Sequence, residues 1–393
     1  MSELLLNQDI QKFIEANVNT DVTQLALQKN PFPEVGWTQI LEQIAAKHKA
    51  KNKLPTWFST AGILYPSKIS IEQTSSEKTA AYKASLISGD SIIDLTGGFG
   101  VDDFYFSKRF KTVVHCEMNE VLSEIVKHNY QKLAVENCAF YVGDSLDTLE
   151  KLNTNCDWIY IDPSRRNNSK GKVFMLKDCL PNVVELLKVY FKYSNNIMIK
   201  TAPIFDITAG LSELKNVCKI HIVAVENEVK ELLWEIYRGH DGTIEICTVN
   251  LKKSGSEHFE FLLSNKSSAN YSLPKTYLFE PNAAIMKSGG FNEVGFQFDL
   301  DKLHPHSHLY TADVIKDFPG RIFKIERCIP YQKSDMKTFL EGKKANVTIR
   351  NFPDTVDQIR KKWKMSSGGN QYCFFTTDMN NRKIVLLCAK IEN

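Results

Sequence analysis

Residues 91–100 read Ser91-Ile92-Ile93-Asp94-Leu95-Thr96-Gly97-Gly98-Phe99-Gly100. A short apolar run with β-branched residues predicts a buried strand. It closes on an acid and passes through a glycine-rich turn, and Val101 to Phe110 then reads as a helix. Strand, tight turn and helix N-terminus bring backbone close to a bound ligand. A dinucleotide site asks for G-x-G-x-x-G. Gly98-Phe99-Gly100 begins that spacing, but Asp103 stands where the third glycine belongs. Asp94, directly before the turn, would repel a pyrophosphate and suits a ligand with positive charge nearby.

Around this stretch, strands and helices alternate. Thr74-Ser75-Ser76-Glu77 is a helix start, with a hydroxyl cap and an acid in the first turn, and the helix runs to Ile87. Strands are expected at 112–117, 139–142, 158–161 and 197–199, with helices at 119–133, 183–193 and 207–214 between them. Such alternation means βαβ units and a parallel sheet. Ile220–Val225 and Leu232–Tyr237, joined by the polar turn Glu226-Asn227-Glu228, predict a closing antiparallel hairpin. Thr243–Leu251 and Phe259–Leu263 extend the sheet, with 252–257 as a loop.

Four acids, Asp94, Glu117, Asp144 and Asp162, end four successive strands, where an open α/β sheet forms its ligand crevice. Glu117 lies about twenty residues after the glycine turn, the place for an acid that accepts both ribose hydroxyls. Asp144, with Ser145 beside it, could take an adenine amino group. The four together point to a nucleoside-containing cofactor. Asp94 and the missing glycine favour S-adenosyl-L-methionine, with its sulfonium and ammonium, over NAD.

The turn Asp94-Leu-Thr-Gly-Gly-Phe-Gly100 resembles motif I of class I S-adenosylmethionine-dependent methyltransferases. Asp162-Pro163-Ser164-Arg165-Arg166 resembles their motif IV, which in nucleic-acid methyltransferases often reads D-P-P-Y, N-P-P-Y or D-P-P-R. Ser164 replaces the second proline and Arg165 stands where a base-stacking aromatic is found, and no cysteine is adjacent, which argues against covalent cytosine chemistry. Tyr277-Leu-Phe-Glu-Pro-Asn282, the strand from Ala345 and the Gly368-Gly369 turn resemble the THUMP-like domain found behind class I methyltransferases in bacteria. The resemblance implies a Rossmann-like α/β fold with the seven-stranded class I sheet and a C-terminal small α+β domain, and the helical spacing of apolar residues before residue 70 predicts an N-terminal helical domain. The corresponding ranges are 1–70, 71–270 and 271–393. It implies cofactor contacts from Asp94, Thr96, Gly97, Gly98, Phe99, Gly100, Glu117, Asp144 and Ser145. Catalytic roles fall to Asp162, Pro163, Arg165 and Arg166, with the two arginines able to hold phosphate or a carboxylate.

Composition sets the frame. The chain has 393 residues, 43% hydrophobic and 24% charged, as in globular proteins, and its length predicts two or three domains. No apolar run reaches the roughly 20 residues of a membrane span. The start, Met-Ser-Glu-Leu-Leu-Leu-Asn-Gln-Asp, lacks a basic n-region and an apolar h-region, so no signal peptide is expected. Nine unpatterned cysteines argue for a reducing cytoplasm and against structural zinc. From Ser272 onward there are 19 basic residues against 13 acidic ones, in a chain of net charge +3. A basic C-terminal part suits a polyanion, and equally an ordinary solvated surface. The basic helix 355–364 mixes Arg360, Lys361, Lys362 and Lys364 with Trp363, a pattern that fits RNA phosphates or a solvated face.

Three further groups invite attention. Lys200, after the fifth strand, faces the same crevice. The run Glu226–Glu231 is unusually charged for a hairpin turn. His304, His306 and His308 alternate as metal ligands can, but Pro305 and the lack of nearby cysteine favour a polar loop. The expectation is an S-adenosylmethionine-dependent methyltransferase acting on a structured RNA, tRNA or rRNA, with no metal and no membrane. The alternatives are a small-molecule or protein methyltransferase, or a non-catalytic RNA-binding protein that keeps the fold.

Overall fold

A computed structural model describes residues 3–165 and 175–391. The chain forms two compact units, one of Met1–Cys218 with Glu231–Gly242, the other of Lys219–Lys230 with Thr243–Asn393. No helix among the described residues is long and apolar enough to cross a membrane.

The first unit opens with helices α1 (Gln8–Ala16), α2 (Val22–Ala26), α3 (Trp37–Lys53), α4 (Pro55–Ser59), α5 (Lys68–Gln73) and α6 (Glu77–Leu86). Asn7, Asp21, Ser67 and Ser76 cap four of them through side-chain oxygens, as the short polar residues at these starts predict. Then come β1 (Ser91–Asp94), α7 (Val101–Phe106), β2 (Thr112–Glu117), α8 (Glu120–Lys132), β3 (Cys138–Val142), α9 (Ser145–Leu152) and β4 (Trp158–Ile161). A small ribbon, β5 (Ser164–Arg165) with β6 (Cys179–Leu180), precedes α10 (Val183–Tyr190), β7 (Asn196–Thr201) and α11 (Ile207–Glu213). Next in the chain are β8 (Val217–Val225), most of which belongs to the second unit, and β9 (Glu228–Tyr237). In the first unit, β3-β2-β1-β4-β7 pair in parallel and β9 adds antiparallel to β7. Glu226 and Asn227 both have positive φ, the backbone of a tight two-residue hairpin turn.

Parallel strands buried on both faces read as apolar runs, and all four residues of β4 are buried. On one side, Ile92, Phe106, Val113, Tyr160 and Met198 join Ala84 of α6. On the other, Phe99, Phe104, Ile125, Val126 and Tyr130 share one core with Ile40, Ile44, Trp57 and Tyr65 of the N-terminal segment. The helices before residue 70 are therefore packed against α7 and α8. Asn129 fastens them further, accepting from Leu64 N at 2.9 Å and donating to Leu64 O at 2.8 Å.

In the second unit β10 (Glu245–Lys252) pairs parallel with β8 and antiparallel with β11 (Gly255–Leu262). The expected 252–257 loop shrinks to two residues, because the register continues to Lys252 opposite Gly255. Beyond lie β12 (Tyr277–Pro281), α12 (Ala283–Ser288), α13 (Phe291–Gln297), β13 (Asp301–Lys302), β14 (Tyr310–Ala312) and β15 (Gly320–Pro330). The chain ends with α14 (Lys333–Phe339), β16 (Lys344–Arg350), α15 (Val356–Trp363), β17 (Ser366–Thr377) and β18 (Lys383–Lys390). Their sheet runs β13-β14-β12-β15-β18-β17-β16. Gly368-Gly369 is a bulge inside β17, not a turn. Both residues have positive φ, and the pairing with β16 jumps from Ser367 to Tyr372.

Candidate active site

The glycine turn is tied to the strands on either side of β1. Leu95 N donates to Tyr160 O at 3.0 Å and Gly97 N to Cys116 O at 2.8 Å. Gly98 N donates to Glu117 Oε2 at 2.9 Å, while Glu117 Oε1 accepts from Asn119 N at 2.8 Å. A Cβ on Gly97 would stand 2.2 Å from the His115 ring, and one on Gly100, whose φ is +70°, 2.6 Å from Val126 Cγ1. Close approach fixes the first residue as glycine, and left-handed backbone with crowding fixes the second.

Asp94 lies beneath this turn, buried. Its Oδ1 accepts from Thr96 N at 2.7 Å and Thr96 Oγ1 at 3.1 Å, and Thr96 Oγ1 accepts from Asp162 N at 2.7 Å. One side chain thus links the loop after β1 to the loop after β4. Burial, then the charge of Asp103, pushes the Asp94 carboxyl well above its ordinary value. Asp103 is raised too, by burial and by Asp102, and its Oδ2 meets His115 Nδ1 at 2.7 Å. Burial holds His115 below its ordinary value. Phe99 turns its ring inward against Trp57 and Tyr65, leaving its backbone to the turn.

At the ends of the other strands the groups are more open. Glu117 is half-buried, and Met118 after it is 62% exposed. Asp144 is exposed and caps α9 by accepting from Leu146 N at 2.8 Å, and Ser145 is buried. Each carboxylate oxygen of Glu117 takes one backbone N–H and has capacity for another donor. A pair of vicinal hydroxyls fits that capacity, Met118 supplies an apolar face beside it, and Asp144 an acceptor beyond. This set of acceptors therefore fits a nucleoside.

Behind motif IV lies a buried ionic network. Asp162 is ion-paired to Lys200. Lys200 Nζ donates to Ser75 Oγ at 3.3 Å, and Lys83 Nζ donates to the same oxygen at 3.1 Å. Lys83 also holds both oxygens of Glu231, at 2.7 and 2.8 Å, and lies 3.2 Å from Asp102 Oδ1. Asp102 Oδ2 accepts from Ser75 Oγ at 2.9 Å and from Tyr160 OH at 2.8 Å. Burial works against the charge of Lys200, but Asp162, Asp102 and Glu231 more than offset it and hold its pKa above the usual lysine range.

The structure thus brings Asp94, Thr96, Gly97, Gly98, Gly100, Glu117 and Asp162 to one edge of the sheet. Pro163 follows Asp162 half-buried, and Ser164 and Arg165 enter the β5–β6 ribbon. Arg166 lies outside the described residues. Glu231 is not part of a solvated turn but is buried against Lys83. Among the described residues, His304, His306 and His308 do not bring their ring nitrogens together as one ligand group. His304 meets Asn351 and Asn381, and His308 stacks on Phe291 at 3.5 Å. Ser75, Lys83, Asp102 and Tyr160 gave no local sequence signal, since their partners lie up to 148 residues away, and Met118 stands out only by its exposure beside Glu117.

Residues 277–319 match the family described as a ferredoxin-like domain, and residues 320–390 the family described as THUMP domain-like. No curated protein matches the sequence. Among solved structures, a candidate methyltransferase from Porphyromonas gingivalis W83 is 30% identical over 100% of both chains, with a TM-score of 0.88. An rRNA methylase from Streptococcus thermophilus is 12% identical over 41% of this chain and 93% of its own, with a TM-score of 0.30. TrmK of M. capricolum, solved with S-adenosyl-homocysteine, is 15% identical over 41% of this chain and 68% of its own, at 0.32. The last two are partial likenesses, too weak to carry function.

Proposed function

The chain belongs to the family of the Porphyromonas gingivalis protein, a class I methyltransferase fold with a THUMP-like domain at its C-terminus, and on that premise we propose that it methylates a structured RNA, tRNA or rRNA, in the cytoplasm. The carrying observation is the convergence of the Gly97–Gly98 turn, both Glu117 oxygens and Asp162 at one edge of the parallel sheet. S-adenosyl-L-methionine supplies a methyl group on a cationic sulfur.

In this reading Thr96, Gly97, Gly98, Phe99 and Gly100 present backbone to the methionine end of that molecule. Asp94 acts through the turn it shapes. Glu117 takes the ribose hydroxyls, Met118 flanks the adenine, and Asp144 with Ser145 accepts its amino group. Asp162 and Pro163 bound the acceptor pocket, and Arg165 and Arg166 hold RNA phosphate or orient the acceptor. Holding two reactants in line supplies most of the rate effect for a displacement of this kind. The working division is a helical segment to residue 70, a methyltransferase part to 270 and an RNA-holding part from 271.

Calorimetric titration with S-adenosylhomocysteine tests the reading, with NAD and Glu117→Ala as controls. Micromolar binding lost in the variant supports it, and NAD binding or none refutes the cofactor. Radiolabelled methyl transfer to RNA from cells lacking the gene tests the acceptor. Cofactor binding without RNA methylation moves the acceptor to a small molecule or a protein.

A further inference from the structure

Resting on the RNA methyltransferase reading above, we propose that the acceptor atom is a hydroxyl oxygen, the ribose 2′-hydroxyl, held between Lys200 Nζ and the Asp162 carboxylate. The network behind motif IV already complements a hydroxyl. Ser75 Oγ accepts from two ammonium groups, Lys83 at 3.1 Å and Lys200 at 3.3 Å, and donates to the Asp102 carboxylate at 2.9 Å. Lys200 and Asp162 offer the same pairing one step nearer the surface. The Asp162 side chain is 37% exposed and that of Lys200 11%, against none for Lys83.

Charge separates the acceptor classes. An amine gains positive charge as it is methylated, and an ammonium held beside it opposes that change. A hydroxyl loses its proton and gains negative charge, which a fixed ammonium in a water-poor site stabilises. Lys200 is kept protonated by Asp162, Asp102 and Glu231 against the cost of burial, so it donates and does not act as the base. The base is Asp162. Arg165, standing in the sequence where a base-stacking aromatic would grip a purine or pyrimidine, brings no ring to that position.

The step balances. The acceptor O–H bond breaks and its proton passes to Asp162. The oxygen electron pair forms the new O–CH3 bond, and the C–S pair stays on the sulfur, which goes from sulfonium to thioether. A cation and a carboxylate become two neutral groups, and Asp162 then returns its proton to water. Lys83, Ser75 and Glu231 are positioning residues: they fix Lys200 without reaching the acceptor.

The test uses the full chain, radiolabelled S-adenosylmethionine, and bulk tRNA and rRNA from cells in which the gene is deleted. The labelled RNA is cut with alkali, which cannot cleave next to a 2′-O-methyl group, and digested to nucleosides for mass spectrometry. Label in alkali-resistant dinucleotides and in 2′-O-methylnucleosides is the expected result. Label in base-methylated nucleosides overturns the hydroxyl assignment and leaves the RNA reading standing. No label in any RNA overturns the RNA reading itself. Lys200→Met and Asp162→Asn should each lower kcat about 100-fold or more, the scale of removing one charge-stabilising group. Calorimetric affinities for S-adenosylhomocysteine and RNA should stay within threefold. Full activity in either variant with those affinities intact overturns the proposal.

Discussion

Gly97→Ala is the sharpest perturbation of the cradle. The added methyl would stand 2.2 Å from His115 Cε1 and Nδ1, while ordinary contact begins near 3.4 Å, so about 1.2 Å of relief is needed. His115 has nowhere to go: it is fully buried, 2.7 Å from Asp103 Oδ2, and its ring centroid is 5.4 Å from that of Phe140. The turn must move instead, which breaks Gly97 N to Cys116 O and Gly98 N to Glu117 Oε2. Overpacking costs about 1–3 kcal/mol, and each lost hydrogen bond adds about 1 kcal/mol. At roughly 2–4 °C per kcal/mol in a unit of this size, the melting temperature falls by roughly 6–20 °C. Affinity for S-adenosylhomocysteine falls about tenfold or more. Gly98→Ala is the control: its φ is +55° and the nearest atom to a Cβ is 3.7 Å away, so only left-handed strain of about 1–2 kcal/mol remains. Scanning calorimetry with and without S-adenosylhomocysteine compares the two. A Gly97→Ala protein that melts within 2 °C of wild type and binds equally well refutes the reasoning.

Four other outcomes are expected. Glu117→Gln keeps one acceptor oxygen but turns an amide N–H toward Gly98 or Asn119, and an unsatisfied pair costs about 1–3 kcal/mol. S-adenosylhomocysteine affinity should fall 10- to 100-fold by calorimetry, and an unchanged value would remove Glu117 from the site. Lys83→Met strands buried Glu231 and should destabilise by about 3–5 kcal/mol in urea unfolding, with most of it recovered in Lys83→Met/Glu231→Leu; equal losses in single and double variants would show that the ion pair is not the cause. Asp94 and Asp103, facing each other, Asp102 and His115, are both held above the ordinary carboxyl value by burial. Raised carboxyl groups stabilise the fold at low pH, and that stability is lost as pH rises through their folded-state values. Asp103→Asn should therefore gain on wild type as urea midpoints are measured from pH 5 to pH 9, and a gap that closes with rising pH would contradict this. Lys361→Glu with Lys364→Glu, both exposed on or after α15, should weaken RNA binding and flatten its salt dependence by roughly one to two in slope, with melting unchanged; an unchanged slope would place RNA elsewhere.

What was legible in the sequence is what local chemistry dictates. The strand Ser91–Asp94, the glycines, and the helix after them follow from a β-branched run and from positions that demand positive φ or close approach. The capping box of α15 is equally local, with Thr355 and Gln358 three residues apart. The acids at the ends of β1 to β4 were readable because chain order and parallel pairing put them at one edge. Gly368-Gly369 misled because a turn and a bulge ask for the same residue, and only the partner strand distinguishes them. Strand β8 begins at Val217, before its apolar run, and the backbone register with β10 already holds Lys219 opposite Glu245. Glu231 read as part of a charged turn because its partner, Lys83, lies 148 residues earlier on a helix, and no spacing rule spans that distance.

Among the described residues, the buried carboxylates around Lys83 and around Glu280 differ in hydration, and the contrast supports the site proposed above. Glu280 in the second unit is buried between Arg321 and Arg350, whose side chains are 40% and 32% exposed. Those guanidinium groups stay partly hydrated, so the cluster fastens β12 to β15 and to Arg350 at modest cost. Lys83 and Glu231 have no such outlet, and Asp102 is only 11% exposed. An apolar set of equal volume would often be as stable or more so, and the surrounding core of Ala84, Tyr160 and Met198 could accommodate one. A fold that keeps five ionisable groups there departs from its own packing rule at one place, and such departures gather at functional sites. Asp162, at 37% the most exposed member, emerges with its partner Lys200 beside the strand ends where the cofactor reading puts the methyl donor. The ions behind them are best understood as what keeps an ammonium charged in a site too dry to charge it unaided.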